Sequence, residues 1–259
     1  ALHTKRDAFL SFEGEQRDMR DRYTAYLQAL ATESQASLEQ KLRDIPRPGA
    51  KPTQERIAGQ SIIRPFDASW QNHEQARHWA MERLRGAHTI AVDGSQITPD
   101  PSVLIPVGAV QVGWFDNPHD ATQPYVKDLH FEVLAPDELS PDRLERQTYP
   151  DQLVNARRFD LECQQVAATL CSYAGAQPTP IVFFDGSLAI SFAAQMRPEL
   201  RQRYIDGVLA MLDASEKARV PLVAYVDTSY ATDLVAMLTC LHTEVGPSRL
   251  SDGALLRPL

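Results

Sequence analysis

The order in which apolar segments and helical segments alternate constrains the fold of this chain more than any other sequence feature. Three segments rich in β-formers come first, at residues 88–96, 102–115 and 127–135, and two fully apolar segments follow at 180–188 and 220–229. Segments with helical spacing precede, separate and follow the last two, at residues 150–173, 198–218 and from 231 onward. Short right-handed connections then predict an α/β fold with a mixed five-stranded sheet in the order 3-2-1-4-5, flanked by helices.

The third strand segment shows the clearest alternation. Leu129, Phe131 and Val133 share one face of it, and His130 and Glu132 share the other. This pattern predicts an antiparallel pair of strands with one face exposed to water.

The N-terminal third has a helical sequence pattern instead of the strand pattern of the sheet region. Apolar residues at helical spacing predict one helix over residues 19–42, which Pro46 ends, and a polar segment rich in Pro and Gly follows. A second helix is predicted from an N-cap at Ser69 to a C-cap at Gly86. We therefore predict two domains, an N-terminal helical appendage with a linker at 1–87 and the core at 88–259.

Two of the predicted strands end in the same motif, Asp-Gly-Ser. The first copy begins at Asp93 and the second at Asp185. In the predicted sheet order these strands are parallel neighbours, so the two carboxylates come close together, and paired carboxylates call for a shared proton or a cation. Oxygen ligands without His or Cys favour Mg²⁺ or Mn²⁺. The alternative is that both motifs are ordinary turns.

Glu162 is the third candidate ligand, in the helix that connects the two Asp-Gly-Ser strands. Asn155, Arg158, Glu162 and Val166 lie along one face of that helix. Three carboxylates from the first strand, the crossover helix and the fourth strand form the set used in two-metal phosphoryl transfer, in which a divalent ion activates the attacking water. The alternative for Glu162 is a surface ion pair with Arg158.

Two residues after the last strand are possible accessory residues. Asp227 either joins the acidic cluster or caps the next helix near Ala231. Tyr230 either stacks on a base or is an ordinary half-buried tyrosine.

Composition limits the class of protein. No run of eighteen apolar residues is present, which predicts no membrane span. Three scattered cysteines favour a reducing cytoplasm over a disulfide framework. The net charge is −8, and residues 116–162 alone hold eleven acidic and five basic side chains. The acid excess is therefore local, and it disfavours a strong free-standing DNA binder without excluding nucleic acid.

The sequence resembles the NurA family of DNA nucleases across residues 88 to about 240. The similarity lies in AVDGSQ with Asp93, NARRFDLE with Glu162, FFDGSL with Asp185, and AYVDTSYATDL, which occur in the family's order. The resemblance implies an RNase H-like fold, a Mn²⁺-dependent (or Mg²⁺-dependent) nuclease centre and a toroidal homodimer. It also implies 5′–3′ exonuclease and single-strand endonuclease activity on DNA, with a HerA-type hexameric ATPase translocase, in end resection and double-strand break repair.

Two departures from the family pattern stand out. Asp227 occupies a position where family members often carry a Lys, and the family's C-terminal His motif is missing from this sequence. We therefore expect the C-terminal part of the core to lie outside this sequence. Two rival functions remain open: a non-catalytic RNase H-like assembly module of a DNA-processing complex, and a phosphatase or nucleotide hydrolase that uses the same acids.

Overall fold

The computed structural model describes residues 5–53, 59–60, 67–100, 102–139, 150–227, 229–243 and 248–257. The chain forms two compact units, one from residues 1–69 with 227–259 and the other from residues 70–226. The helices are α1 Arg6–Leu30, α2 Gln35–Leu42, α3 His73–Leu84, α4 Pro136–Leu139, α5 Pro150–Ser172, α6 Pro198–Ala218, α7 Asp233–Leu241 and α8 Asp252–Leu256. The strands are β1 Thr89–Ile97, β2 Gly108–Asn117, β3 Val126–Leu134, β4 Ile181–Asp185 and β5 Leu222–Tyr225.

The unit at 70–226 contains one five-stranded sheet in the order β3-β2-β1-β4-β5. β1 pairs antiparallel with β2 and β2 with β3, while β1 pairs parallel with β4 and β4 with β5. The predicted order 3-2-1-4-5 is confirmed, with flanking helices and N-terminal helices. This arrangement of three meandering strands followed by two parallel crossovers is the RNase H-like fold.

The hydrophobic core of this unit lies on one face of the sheet, beneath α5 and α6. Alternate strand residues point into it, and each is at most 2% exposed: Ile90, Val92, Val110, Val112, Val182 and Phe184. The two helices supply the other side of the core and pack closely on each other. Two ion pairs fix α5 laterally. The Arg157 guanidinium donates two hydrogen bonds to the Glu132 carboxylate of β3, at 2.8 and 2.7 Å, and Arg203 of α6 pairs with Asp160.

The prediction that the first strand stops at Asp93 is wrong. β1 continues to Ile97, because β2 stays paired with it in unbroken register over nine residues. Only its parallel partner ends there, since the last pair with β4 is Val92 with Phe184. β4 does end at Asp185, as predicted.

The exposed face of β3 is not the polar face that its alternating sequence suggests. Leu129, Phe131 and Val133 are 53%, 55% and 56% exposed, so the apolar row is the one that faces water. The polar row contains Glu132, which turns towards α5 to meet Arg157. The row that contains Glu132 and the buried Leu134 is therefore the one that faces α5.

The unit at 1–69 with 227–259 has its own helical core. Tyr23, Leu27 and Leu30 of α1 and Leu38 and Leu42 of α2 are buried, and they pack with apolar residues of α7 and α8: Val235, Met237, Leu238 and Leu255. The single helix predicted over 19–42 is wrong, because the chain breaks after α1 and restarts at Ser34, whose hydroxyl accepts the Ser37 N–H.

The predicted division into an N-terminal helical appendage with linker at 1–87 and a core at 88–259 stays a prediction. Among the helices of the described ranges, none is both long enough and apolar enough to cross a membrane.

Candidate active site

The residues singled out from the sequence surround the point where β1 and β4 separate. Parallel pairing ends at Val92 and Phe184, so Asp93 and Asp185 are the next residues along the two strands. α5 packs across β1 and β2 beside this point and brings Glu162 to the backbone of Gly94. The strands that carry Asp93 and Asp185 are therefore neighbours, as predicted.

Glu162 is a buried charge, only 1% exposed. Its Oε1 accepts a hydrogen bond from the Arg158 guanidinium one helical turn earlier. Burial raises the pKa of Glu162 to about 7; the Arg158 charge opposes this rise, the Asp93 charge adds to it, and the Gly94 N–H lowers the pKa. The predicted ion pair between Arg158 and Glu162 does form. It is not a surface pair, because the Glu162 carboxylate is buried.

Gly94 makes the approach of Glu162 possible. A Cβ at this position would lie 2.3 Å from Glu162 Oε1 and 3.0 Å from Arg158 Cγ. Any side chain would push the carboxylate away, because non-bonded atoms do not tolerate such a distance. The first Asp-Gly-Ser motif is therefore a continuous strand that accommodates α5 and not a turn.

The second Asp-Gly-Ser motif does form a turn. The Ser187 hydroxyl donates to the Ala189 carbonyl at 3.0 Å and accepts the Ala189 N–H at 3.1 Å. These hydrogen bonds redirect the chain at the end of β4, so Asp185 is the last residue of that strand.

Glu162 and Asp185 line the same cavity, which has a volume of about 310 Å³. It lies between α5, the end of β4, the 3-10 turn at Ser191–Gln195 and the first half of α6. Its walls combine polar and aromatic groups, among them Asn155, Arg158, Phe159, Phe184, Phe192 and Tyr204. Within the described ranges, Arg158 Nε is buried without a hydrogen-bond partner.

Asp93 faces the other way. Successive strand residues point to opposite faces of a sheet, and Gly94 faces α5, so the Asp93 side chain lies on the face without that helix. There it lines a separate cavity of about 380 Å³ with Gln111, Trp114 and Asp128. The negative charge of Asp93 still contributes to the raised pKa of Glu162.

Two of the three predicted ligands, Glu162 and Asp185, are lining residues of one cavity, and Asp93 lines another. Asp185 follows the core-facing Phe184 on β4 as Asp93 follows Val92 on β1, so regular alternation places both Asp side chains on the face away from α5. Across the described ranges, no three His, Cys, Asp or Glu side chains converge on a possible metal position. The oxygen-only pair Glu162 and Asp185 nevertheless fits the preference of Mg²⁺ or Mn²⁺ for hard ligands.

Asp227 and Tyr230 belong to the unit that contains α7. Asp227 lies in the bend after β5, and Tyr230 is 86% exposed rather than half-buried. Asp227 does not cap α7. That helix begins at Asp233, and the Asp252 carboxylate accepts the N–H groups of its first turn. Accessory roles for Asp227 and Tyr230 stay predictions.

No motif or spacing in the sequence indicated the aromatic part of the cavity. Tyr204 reads as an ordinary apolar-face residue of α6, and Phe192 lies in a segment with no motif. The two rings meet at 5.5 Å between centroids, and Tyr204 lies 4.4 Å from Phe159 of α5. Only the packing of α6 on α5 brings these rings to the carboxylates.

Comparison with known proteins places the chain in a family. A family model described as the NurA domain matches residues 88–257, about two thirds of the chain. None of the curated proteins matches this sequence.

Two solved structures resemble the chain at 10% sequence identity. The NurA nuclease from Sulfolobus solfataricus aligns over 63% of this chain and 60% of its own, with a TM-score of 0.36. The N-terminal RNase H domain of a Mycobacterium tuberculosis protein, solved as a fusion with maltose-binding protein, aligns over 61% of this chain and 100% of its own, with a TM-score of 0.28. The chain thus matches only 60% of the length of the Sulfolobus protein.

Proposed function

Because the chain belongs to the NurA family, we propose that it is a metal-dependent nuclease that hydrolyses DNA phosphodiester bonds. One observation carries this proposal: a buried glutamate, Glu162, and the last residue of β4, Asp185, line one cavity at the end of the parallel strands. Open α/β sheets bind ligands at that edge. A buried carboxylate is also costly to the fold, which is typical of a functional position.

In this proposal Glu162 and Asp185, with Asp93, hold Mn²⁺ or Mg²⁺. A bound divalent ion would neutralise charge on the phosphate and lower the pKa of the attacking water. The pair supplies oxygen ligands only, as such ions require.

The chain's own residues have further roles in the proposed reaction. Arg158 lines the same cavity, holds the Glu162 carboxylate in place and can donate to a phosphate oxygen. Phe159 and Phe184 are buried in the cavity wall and keep water from the inner side of the carboxylates.

Three substitutions test the proposal: Glu162→Gln, Asp185→Asn and Asp93→Asn. Each should lower Mn²⁺-stimulated cleavage of single-stranded DNA by more than about 100-fold, since even outer-shell partners of a metal cost about 10- to 100-fold. The control is Asp213→Asn, at an exposed carboxylate on α6 whose only described partner is Lys217. Full activity in Glu162→Gln and Asp185→Asn together would exclude this cavity as the catalytic centre.

The finer functions also belong to the proposal. We infer 5′–3′ exonuclease and single-strand endonuclease activity in end resection and double-strand break repair in the cytoplasm, with a HerA-type translocase as partner. We also infer a homodimer. The exposed apolar row Leu129, Phe131 and Val133 supports an interface of some kind, because an exposed patch of this sort is unusual on a monomer.

A non-catalytic assembly module is the second candidate. The position of Asp93 on the opposite face of β1 favours it, because the described side chains do not form a three-carboxylate cluster. Thermal unfolding with increasing Mn²⁺ separates the two functions. A nuclease should gain stability that Asp185→Asn abolishes, whereas a module should show no change in either protein.

A further inference from the structure

The cavity lined by Glu162 and Asp185 has an apolar wall that hydrolysis of a phosphodiester does not explain. Phosphate chemistry needs charges and ligands, yet much of this wall is aromatic or aliphatic: Phe159, Phe184, Phe192, Met196, Leu200 and Tyr204. Of these, Phe192 is 48% exposed and Tyr204 only 7%. An open apolar wall at a polar site points to a ligand with an apolar face.

The aromatic rings are arranged as a platform with one accessible member. Phe159 and Tyr204 lie 4.4 Å apart and tilted by 36°, and Phe192 meets Tyr204 edge-on at 5.5 Å and 85°. Phe159 and Tyr204 are thus occupied by each other within the core, while the Phe192 ring is free to take a partner on its exposed side.

Polar groups stand at the rim of the same cavity. The Gln96 amide donates to Asn155 Oδ1 at 2.6 Å, which fixes the orientation of the Asn155 amide at the cavity. Arg158 Nε is buried and has no hydrogen-bond partner within the described ranges. An amide can read the edge of a base, and a guanidinium can hold a phosphate.

We propose that this cavity is a base-binding subsite that takes one unpaired nucleobase next to the scissile phosphate, with the base stacked on Phe192. The proposal rests on the nuclease function, and it deepens it by assigning Phe192 as the residue that binds the base of an unpaired nucleotide. A volume of about 310 Å³ lies at the lower end of small-ligand sites, roughly 300 to 1,000 Å³, so it admits one nucleotide but not a base pair.

Stacking gives the size of the expected effect. Loss of one base–aromatic stack lowers affinity about 5- to 150-fold. The first test measures binding without cleavage, in the presence of EDTA, with the 5′-monophosphate of 2-aminopurine deoxyriboside as the probe, whose fluorescence is quenched by stacking. The full chain should quench it saturably, Phe192→Ala should bind it about 5- to 150-fold more weakly, and Phe192→Tyr should bind it like the original chain.

Phe12→Ala is the matched control, because Phe12 is 62% exposed and is not among the residues that line the cavity. It should leave the titration unchanged. Equal binding by Phe192→Ala and the original chain would overturn the proposal. So would equal competition by deoxyribose 5-phosphate and by deoxyadenosine monophosphate, because the base would then contribute nothing.

A second test uses cleavage and separates this inference from the proposed function. A single abasic residue is moved along a single-stranded substrate, and one position should lower kcat/KM about 5- to 150-fold with the original chain but not with Phe192→Ala. If the original chain cleaves and no abasic position matters, the subsite is refuted while the nuclease stands. If no cleavage occurs with Mn²⁺ or Mg²⁺, the nuclease proposal fails, and the probe titration alone decides the subsite.

Discussion

Glu162 makes the stability of the sheet-containing unit depend on pH in a way that one substitution isolates. In the folded protein its pKa is about 7, raised mainly by burial from an ordinary value of 4.5. A carboxyl with a raised folded pKa contributes stability that is fully present below about pH 4.5 and is lost as the pH rises through about 7. Glu162→Gln keeps the shape of the side chain and removes the titration.

The magnitude follows from the pKa. At about 1.4 kcal/mol per pKa unit, ionised Glu162 costs the folded unit up to roughly 3 kcal/mol above pH 8, but only about 1 kcal/mol at pH 5. The stability of the original chain relative to Glu162→Gln should therefore fall by roughly 2 kcal/mol between pH 5 and pH 8. Taking the difference cancels the titration of the other groups, provided that they do not interact with Glu162.

Urea unfolding in EDTA, followed by tryptophan fluorescence, measures this difference. All three tryptophans, Trp70, Trp79 and Trp114, lie in the unit at 70–226, so the signal reports the unit that contains Glu162. Asp213→Asn, at an exposed carboxylate of the same unit, is the control for the removal of a carboxylate. A flat difference for Glu162→Gln, or one that grows with pH, would refute the view that burial dominates at Glu162.

Further predictions concern three glycines. Gly94→Ala should lower stability by about 1 to 3 kcal/mol and abolish nuclease activity, because its Cβ would meet the Glu162 carboxylate at 2.3 Å; urea unfolding and a cleavage assay measure the two effects. Gly207→Ala on α6 should cost a similar amount without directly touching the carboxylates, because its Cβ would meet Cys163 Sγ of α5 at 2.9 Å, and residual cleavage by the folded fraction distinguishes it from Gly94→Ala. Gly14→Ala in the exposed part of α1 has no atom within 4 Å and should instead stabilise its helix by about 0.5 to 1 kcal/mol in thermal unfolding.

The sheet order was predictable because it depends on signals local to each segment. Apolar runs, helical spacing and short connections determine which strands are neighbours, and the neighbouring strands of Asp93 and Asp185 follow from them. The end of β1 was not predictable in this way. Asp-Gly is a turn signal by itself, and only the continuous pairing with β2 keeps residues 93–97 extended.

The candidate site, too, was predictable only where it depends on local signals. Glu162 and its partner Arg158 could be predicted from the spacing on one helix, and their pairing is observed. The burial of that pair and the aromatic wall with Phe192 could not, because both depend on contacts between segments far apart in the sequence. Residue spacing identifies the charges of such a site, whereas tertiary packing decides what surrounds them.

The geometry of β1 imposes the strongest condition on any metal centre here. Side chains alternate with a period of two along a strand, so Asp93 and Gly94 cannot both face α5 while β1 stays regular. The space beside Glu162 requires a glycine on the helix side, and that requirement places Asp93 on the opposite face. A centre with all three carboxylates therefore requires irregular backbone at both Asp residues. A local bulge in β1 near Asp93 would turn its side chain without moving the rest of the sheet, and the chain would have to turn at Asp185, the last residue of β4. The parallel partner β4 has already ended at this point, so a bulge would break hydrogen bonds to β2 alone.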